Sequence, residues 1–150
     1  LQKRPWRVDE LRGWLEADAG PTVRVSVSGT EGLELEADPS WMKVAFLNLL
    51  RNAQKYNERT PVEFSVTAAV DGARLVLEVR DNGIGIPREH WSEVFEAFFR
   101  VRDARGRGGG GSGLGLALVK RVVEGHGGAI EVTASSGEGT VFRLSLPAPR

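Results

Sequence analysis

The sequence predicts an α+β domain. Two observations carry that expectation: short segments in which apolar and polar residues alternate, and longer ones with apolar residues at helical spacing. A third bounds it. The chain has 150 residues, 41% hydrophobic and 27% charged, which is enough for one buried core and ordinary for a soluble globular protein. Twenty basic and twenty acidic residues cancel, so nothing in the net charge argues for nucleic acid or an anionic membrane as partner. No cysteine is present, which excludes disulfides, thiolate metal sites and thiol nucleophiles. No apolar run approaches the roughly 18 residues of a spanning helix, so no membrane contact is expected of this segment.

Leu1 to Arg7 is basic and carries Trp6; it reads as the tail of a preceding linker or helix. Val8, Leu11, Trp14 and Leu15 follow at helical spacing, and Gly20-Pro21 stops that helix. Residues 1–20 therefore form an N-terminal segment, and 21–150 the main body of what is expected to be a single domain from a longer chain. Val23, Val25 and Val27 mark one strand; Leu33, Leu35 and Ala37 mark another. Asp38-Pro39 is a helix start, a capping carboxylate followed by proline at the first helical position. The helix should run to about Tyr56, with Met42, Phe46, Leu49, Leu50 and Ala53 as its core stripe. Asn48, Asn52 and Lys55 stack along a second, polar line. Two middling helix formers on one line suit either a solvated face or a site.

Val62, Phe64, Val66 and Ala68 form a strand, and Asp71-Gly72 turns it into the next, Arg74 to Arg80. Leu75, Leu77 and Val79 share one face, and Asp81 has their parity, which brings a carboxylate to the lip of an apolar face. Gly83 and Gly85 follow at once. Alone, this stretch suits a solvated turn as well as a ligand loop. After Pro87, Trp91, Val94, Phe95 and Phe98 have the spacing of a short, core-packed helix. Arg100 to Ser112 has no apolar period and holds four arginines and four consecutive glycines, Gly108 to Gly111. Ordering those glycines costs on the order of 1–2 kcal/mol each, so a mobile basic loop or lid is expected. A helix opens at Gly113-Leu114-Gly115-Leu116, where glycines leave N–H groups open to an anion. It carries Leu116, Val119, Val122 and Val123 inward. Two last strands hold Ile130, Val132 and Ala134, then Thr140, Phe142, Leu144 and Leu146.

In this order the pieces resemble the ATP-binding catalytic domain of bacterial sensor histidine kinases, within the superfamily of gyrase, heat-shock chaperone and mismatch-repair ATPases. Asn48-Leu-Leu-Arg-Asn52-Ala-Gln-Lys55-Tyr56 resembles the asparagine box, and Asp81-Asn-Gly83-Ile-Gly85-Ile86-Pro87 the first glycine box. Phe95-Glu-Ala-Phe98-Phe-Arg100 is similar to the phenylalanine box, Gly113-Leu114-Gly115-Leu116 to the second glycine box, and Gly137-Glu-Gly139-Thr140-Val-Phe142 to the closing motif.

The resemblance implies a two-layer α/β sandwich of the Bergerat type. A mixed β-sheet would be covered on one face by helices, with ATP lying under a flexible lid. It implies that Asn52 ligates Mg2+, that Asn48 supports the ion or its waters, and that Lys55 meets phosphate. Tyr56 would lie against the nucleoside. Asp81 would accept the exocyclic amino group of adenine, with Thr140 joining through water. Gly83, Gly85 and Ile86, then Gly113, Leu114, Gly115 and Leu116, would line the nucleotide, and Arg100 is the lid arginine expected at the phosphates. The implied activity is transfer of the ATP γ-phosphate to a histidine on a separate dimerisation and phosphoacceptor domain of the same protein; the alternative is a nucleotide-binding regulator that signals without transfer. The implied onward partner is a response regulator, the location cytoplasmic, and the domain alone monomeric. Asn48 stands where the superfamily's hydrolases carry a glutamate base, which disfavours hydrolysis. His90 and His126 lack the phosphoacceptor context and read as structural.

Overall fold

Strand alternation resolves into a five-stranded mixed sheet with helices packed on one face. The computed structural model describes residues 1–99 and 114–148. In chain order the elements are β1 (Arg4–Arg7), α1 (Glu10–Asp18), β2 (Val23–Ser28), β3 (Glu34–Ala37), α2 (Pro39–Lys55), β4 (Val62–Asp71) and β5 (Arg74–Asp81). Two 3₁₀ turns, Arg88–His90 and Glu93–Phe95, precede α3 (Gly115–Gly125), β6 (Ala129–Ser136) and β7 (Gly139–Pro147). The sheet order is β2-β4-β5-β7-β6; β2 runs parallel to β4 and the other neighbours are antiparallel. Phe64, Val66, Leu75, Leu77, Val79, Phe142, Leu144 and Leu146 form the buried face of the sheet, and Met42, Phe46, Leu49, Leu50, Val119 and Val123 press onto it from α2 and α3. The intervening residues Thr67, Arg80 and Arg143 face solvent. Asp81 stands opposite Phe64 in the β4–β5 register, so the parity argument holds to the strand's last residue.

Helix α2 starts as its cap requires. The Asp38 Oδ1 accepts from the Ser40 and Trp41 amides at 3.1 and 3.3 Å, and Oδ2 accepts from the Gln2 amide at 2.8 Å. The Gln2 amide, ahead of those of Trp41 and Ser40, holds this carboxyl below the usual carboxylate range despite the opposing effect of burial. The Asp38 amide in turn donates to Nε2 of buried His126 at 3.0 Å. Because that amide can only donate, the imidazole proton sits on Nδ1 and goes to the Val122 carbonyl at 2.7 Å. His126 is thus structural, and it pins the end of α3 to the start of α2. The two helices run antiparallel from that pin, which brings Gly115 alongside Asn48 at the far end, about 15 Å away along each axis.

Four local expectations are corrected. Arg4–Arg7 is not a linker tail but strand β1, paired antiparallel with β3, and Trp6 is buried and stacked on Trp14 at 5.5 Å. The β4–β5 turn is centred one residue later than expected, on Gly72-Ala73, with Gly72 at φ +61°. The segment after Pro87 is two 3₁₀ turns, not one helix; Val94 and Phe95 are buried, whereas Phe98, at φ +67°, is 72% exposed. A register shift between Val132 and Ala134 turns Ala134 outward.

Candidate nucleotide-binding site

The fold gathers the expected residues along α2. At the C-terminal end of that helix lies the Asp81 cluster. Asp81 is half-buried, and its Oδ1 accepts from the Gly83 amide at 2.8 Å and the Thr140 amide at 3.3 Å. Its Oδ2 has no hydrogen-bond partner among the described residues. Burial pushes the Asp81 carboxyl up from the usual carboxylate range, against the smaller downward pull of those two amides. The loop that follows is docked on the cap of α2: the Ile84 amide donates to the Tyr56 carbonyl at 3.0 Å, and a Cβ on Gly83 would stand 2.5 Å from that same oxygen. Gly83 is therefore required by contact. Gly85 is required by conformation as well, at φ +85° with its Cα against the Ser136 carbonyl.

One serine ties this loop to Thr140. Ser135 Oγ accepts from the Ile86 amide at 2.6 Å and lies 2.9 Å from the buried Thr140 Oγ1. Ile86 is fixed further by its carbonyl, which accepts from Trp91 Nε1 at 2.9 Å. Asn82 makes three hydrogen bonds: its Oδ1 accepts from Asn57 Nδ2 at 2.7 Å and the Glu63 amide at 2.9 Å, and its Nδ2 donates to the Pro61 carbonyl at 3.1 Å. Neither Ser135 nor Asn82 carries a role that the sequence motifs announce. Their partners lie across other loops, and no spacing within the chain announces such contacts.

The other end of the site lies where α2 meets the start of α3. Asn48 Nδ2 donates to the Val44 carbonyl at 2.8 Å, and a Cβ placed on Gly115 would lie 3.2 Å from Asn48 Oδ1. The Asn48 amide oxygen is thus directed at the first residue of α3. Asn52 is half-buried one turn further along, and Lys55 folds its Nζ over the Tyr56 ring, 5.2 Å from the centroid. Leu116 is partly buried against the core, and the exposed Leu114 accepts through its carbonyl from Leu118. Arg100, Gly113 and the expected lid from Arg100 to Ser112 lie outside the described residues. From Tyr56 to Asn48 is eight residues of one helix face, about 12 Å.

Residues 37–150 match the family described as histidine kinase-, DNA gyrase B-, and HSP90-like ATPase. The chain belongs to that family. Among its relatives this family member is 41% identical over 133 residues to the sensor protein kinase WalK of Staphylococcus saprophyticus, covering 88% of this chain and 22% of WalK. It is 44% identical over 116 residues to the sensor histidine kinase YkoH of Bacillus subtilis, covering 77% of this chain and 25% of YkoH. The chain thus spans about a quarter or less of the curated relatives it matches. In structure it is similar to a mycobacterial sensor histidine kinase, MprB, with TM-score 0.82 and 31% identity over 98% of each chain. Full-length ShkA, solved with AMPPNP, gives TM-score 0.83 and 28% identity, covering 99% of this chain and 31% of ShkA. The family member is thus similar to sensor histidine kinases in sequence and in structure, and it shares their two-layer α+β fold.

The Asp81 environment makes a testable statement about stability. A carboxyl raised in the folded state penalises folding wherever it is ionised. That penalty is complete above the raised value and vanishes as pH falls below the unfolded value of 3.8. Asp81→Asn is expected to unfold at or above the wild-type temperature at pH 7 without nucleotide. The difference should shrink as pH approaches 4, as followed by calorimetric melting. A variant markedly less stable than wild type at pH 7 would show that the carboxylate, not its burial, dominates.

Proposed function

We propose that this domain binds ATP along α2, adenine at Asp81 and phosphates between α2 and α3, and delivers the γ-phosphate to a histidine on a separate helical domain. One observation carries the reading. A half-buried carboxylate at the end of an apolar strand keeps one oxygen engaged by two backbone amides and the other free to accept. That free acceptor suits the exocyclic amino group of adenine. Guanine presents a carbonyl at the same edge, and acceptor against acceptor costs on the order of 1–3 kcal/mol. Thr140 supports the same edge, with its hydroxyl oriented by Ser135. Tyr56 flanks the nucleoside, with Gly83, Gly85 and Ile86 forming the floor.

The residues at the other end fit magnesium. No group of three His, Asp or Glu residues among the described ones forms a metal cage, whereas Asn48 and Asn52 offer neutral amide oxygens one helical turn apart. Oxygen donors of low charge suit an ion that keeps phosphate oxygens and water as its remaining ligands. Asn52 would hold the ion, and Asn48, with Nδ2 committed to Val44, would turn Oδ1 towards it or its waters. Bound there, magnesium would neutralise charge on the phosphates. Lys55 would swing from the Tyr56 ring to a phosphate oxygen, and Leu114, Gly115 and Leu116 would bring the α3 N-terminus to the same charge. Arg100 and Gly113 are proposed to complete this end.

In the transfer step an imidazole nitrogen attacks the γ-phosphorus, the bond to the β–γ bridging oxygen breaks, and ADP leaves with that oxygen. Asn48 has no basic site with which to activate water, so the chain's own residues favour transfer over hydrolysis. The proposed partners are the phosphoacceptor helical hairpin of the full-length protein and, downstream, a response regulator. Mixing this domain with such a hairpin domain and γ-labelled ATP is expected to label the histidine. Binding of ATP without any label transfer would instead make this a nucleotide-binding regulator.

A further inference from the structure

Arg59, in the loop between α2 and β4, occupies a position that nothing in the nucleotide motifs assigns. Its NH1 donates to the Asn82 carbonyl at 2.9 Å and the Glu138 carbonyl at 3.1 Å, and its NH2 donates to the Gly137 carbonyl at 2.9 Å. NH2 also lies 3.6 Å from the Glu138 carboxylate, which is 90% exposed and adds little. The Arg59 amide donates to Asn57 Oδ1 at 2.7 Å, a local turn that aims the side chain, and Asn57 Nδ2 is itself bonded to Asn82. One guanidinium thus caps carbonyls on two separate segments: the residue after Asp81, and the hairpin residues just before Gly139-Thr140.

Those two segments are the walls of the Asp81 cluster. Gly139 lies against the Asp81 carbonyl with no room for a Cβ, and the Thr140 amide donates to Asp81 Oδ1. The carbonyls of Gly137 and Glu138 lie in the short β6–β7 turn, where no sheet neighbour fixes them. We propose, given the nucleotide reading of the site, that Arg59 is a positioning residue. It clasps the β6–β7 hairpin to the Asp81 turn, so that Asp81, Thr140 and Ser135 meet the adenine edge already in place. Only a planar fork of several N–H donors spans these three carbonyls at once. The Arg59 side chain is 43% exposed, so its removal leaves the carbonyls accessible to water and need not unfold the core. The loss falls on preorganisation at the adenine end, remote from the phosphates.

Calorimetric titrations of adenosine and of ATP–magnesium into wild type, Arg59→Ala, Arg59→Lys and Glu138→Gln separate the possibilities. Arg59→Ala is expected to weaken adenosine and ATP by the same factor, about three- to tenfold, leaving their ratio unchanged. Arg59→Lys should fall in between, and Glu138→Gln should match wild type. Amide exchange at Gly139 and Thr140 should quicken in unliganded Arg59→Ala. Should Arg59→Ala fail to fold, weakened adenosine binding by Arg59→Lys carries the same expectation, because a single ammonium cannot reproduce the two-nitrogen grip on all three carbonyls. Wild-type adenosine affinity in the Arg59 variants would overturn the clasp while leaving the nucleotide site standing. A loss confined to ATP would overturn it too, by making Arg59 a phosphate contact. If wild type bound neither ligand, the nucleotide reading itself would fall, and this role with it.

Discussion

Alanine in place of Asp81 is expected to weaken ATP binding by roughly 10- to 100-fold, the equivalent of one hydrogen bond to a charged group in a partly dry site. The loss has a definite origin. Gly83 and Thr140 donate to Oδ1, so truncation frees two amides as well as removing the acceptor proposed for adenine. Asp81→Asn should lose less, about three- to tenfold, because its amide oxygen can still take either acceptor role though not both. The ordering, wild type tightest and alanine weakest, is the diagnostic feature in a calorimetric titration. Unchanged affinity in Asp81→Ala would remove this residue from the adenine site.

The second large effect is expected at Asn52. Asn52→Ala should lower phosphotransfer to a supplied histidine domain by at least about 100-fold, roughly 2.7 kcal/mol of transition-state stabilisation. Adenosine, which carries no phosphate and needs no ion, should bind the variant within about twofold of wild type. The split follows from geometry: Asn52 lies on α2 a turn away from the Asp81 cluster, which is held together by Tyr56, Gly83, Ile86, Ser135 and Thr140. Wild-type transfer in Asn52→Ala would refute the magnesium assignment. Loss of adenosine binding would show that the substitution disturbs the helix rather than the ion.

Much of this was legible in the chain because the decisive signals are local. Asp38-Pro39 caps and opens α2 where its residue types require, and the alternation through Leu75, Leu77 and Val79 carries Asp81 to the buried face. Thr140 follows the same parity and is buried. What escaped the sequence is non-local. Strand β1 is stabilised by pairing with β3, some thirty residues on, and its one buried residue, Trp6, is too little to show a period. Phe98 has the spacing of a core residue, but the 3₁₀ turn ends at Phe95, and Phe98 sits with left-handed backbone in the turn that follows, its ring exposed. Ser135, Asn82 and Arg59 act through side-chain contacts between segments distant in sequence, for which there is no periodic signal. The expected lid, with its arginines and glycines, lies outside the described residues.

Base discrimination tests the central claim most directly, because it reads the free oxygen of Asp81 and little else. Titrating the wild-type domain with ATP and with GTP, each with magnesium, should give one saturable ATP site and GTP binding weaker by about tenfold or more. Equal affinity for the two nucleotides would contradict an adenine site built on Asp81, since the phosphates are common to both and only the base edge differs.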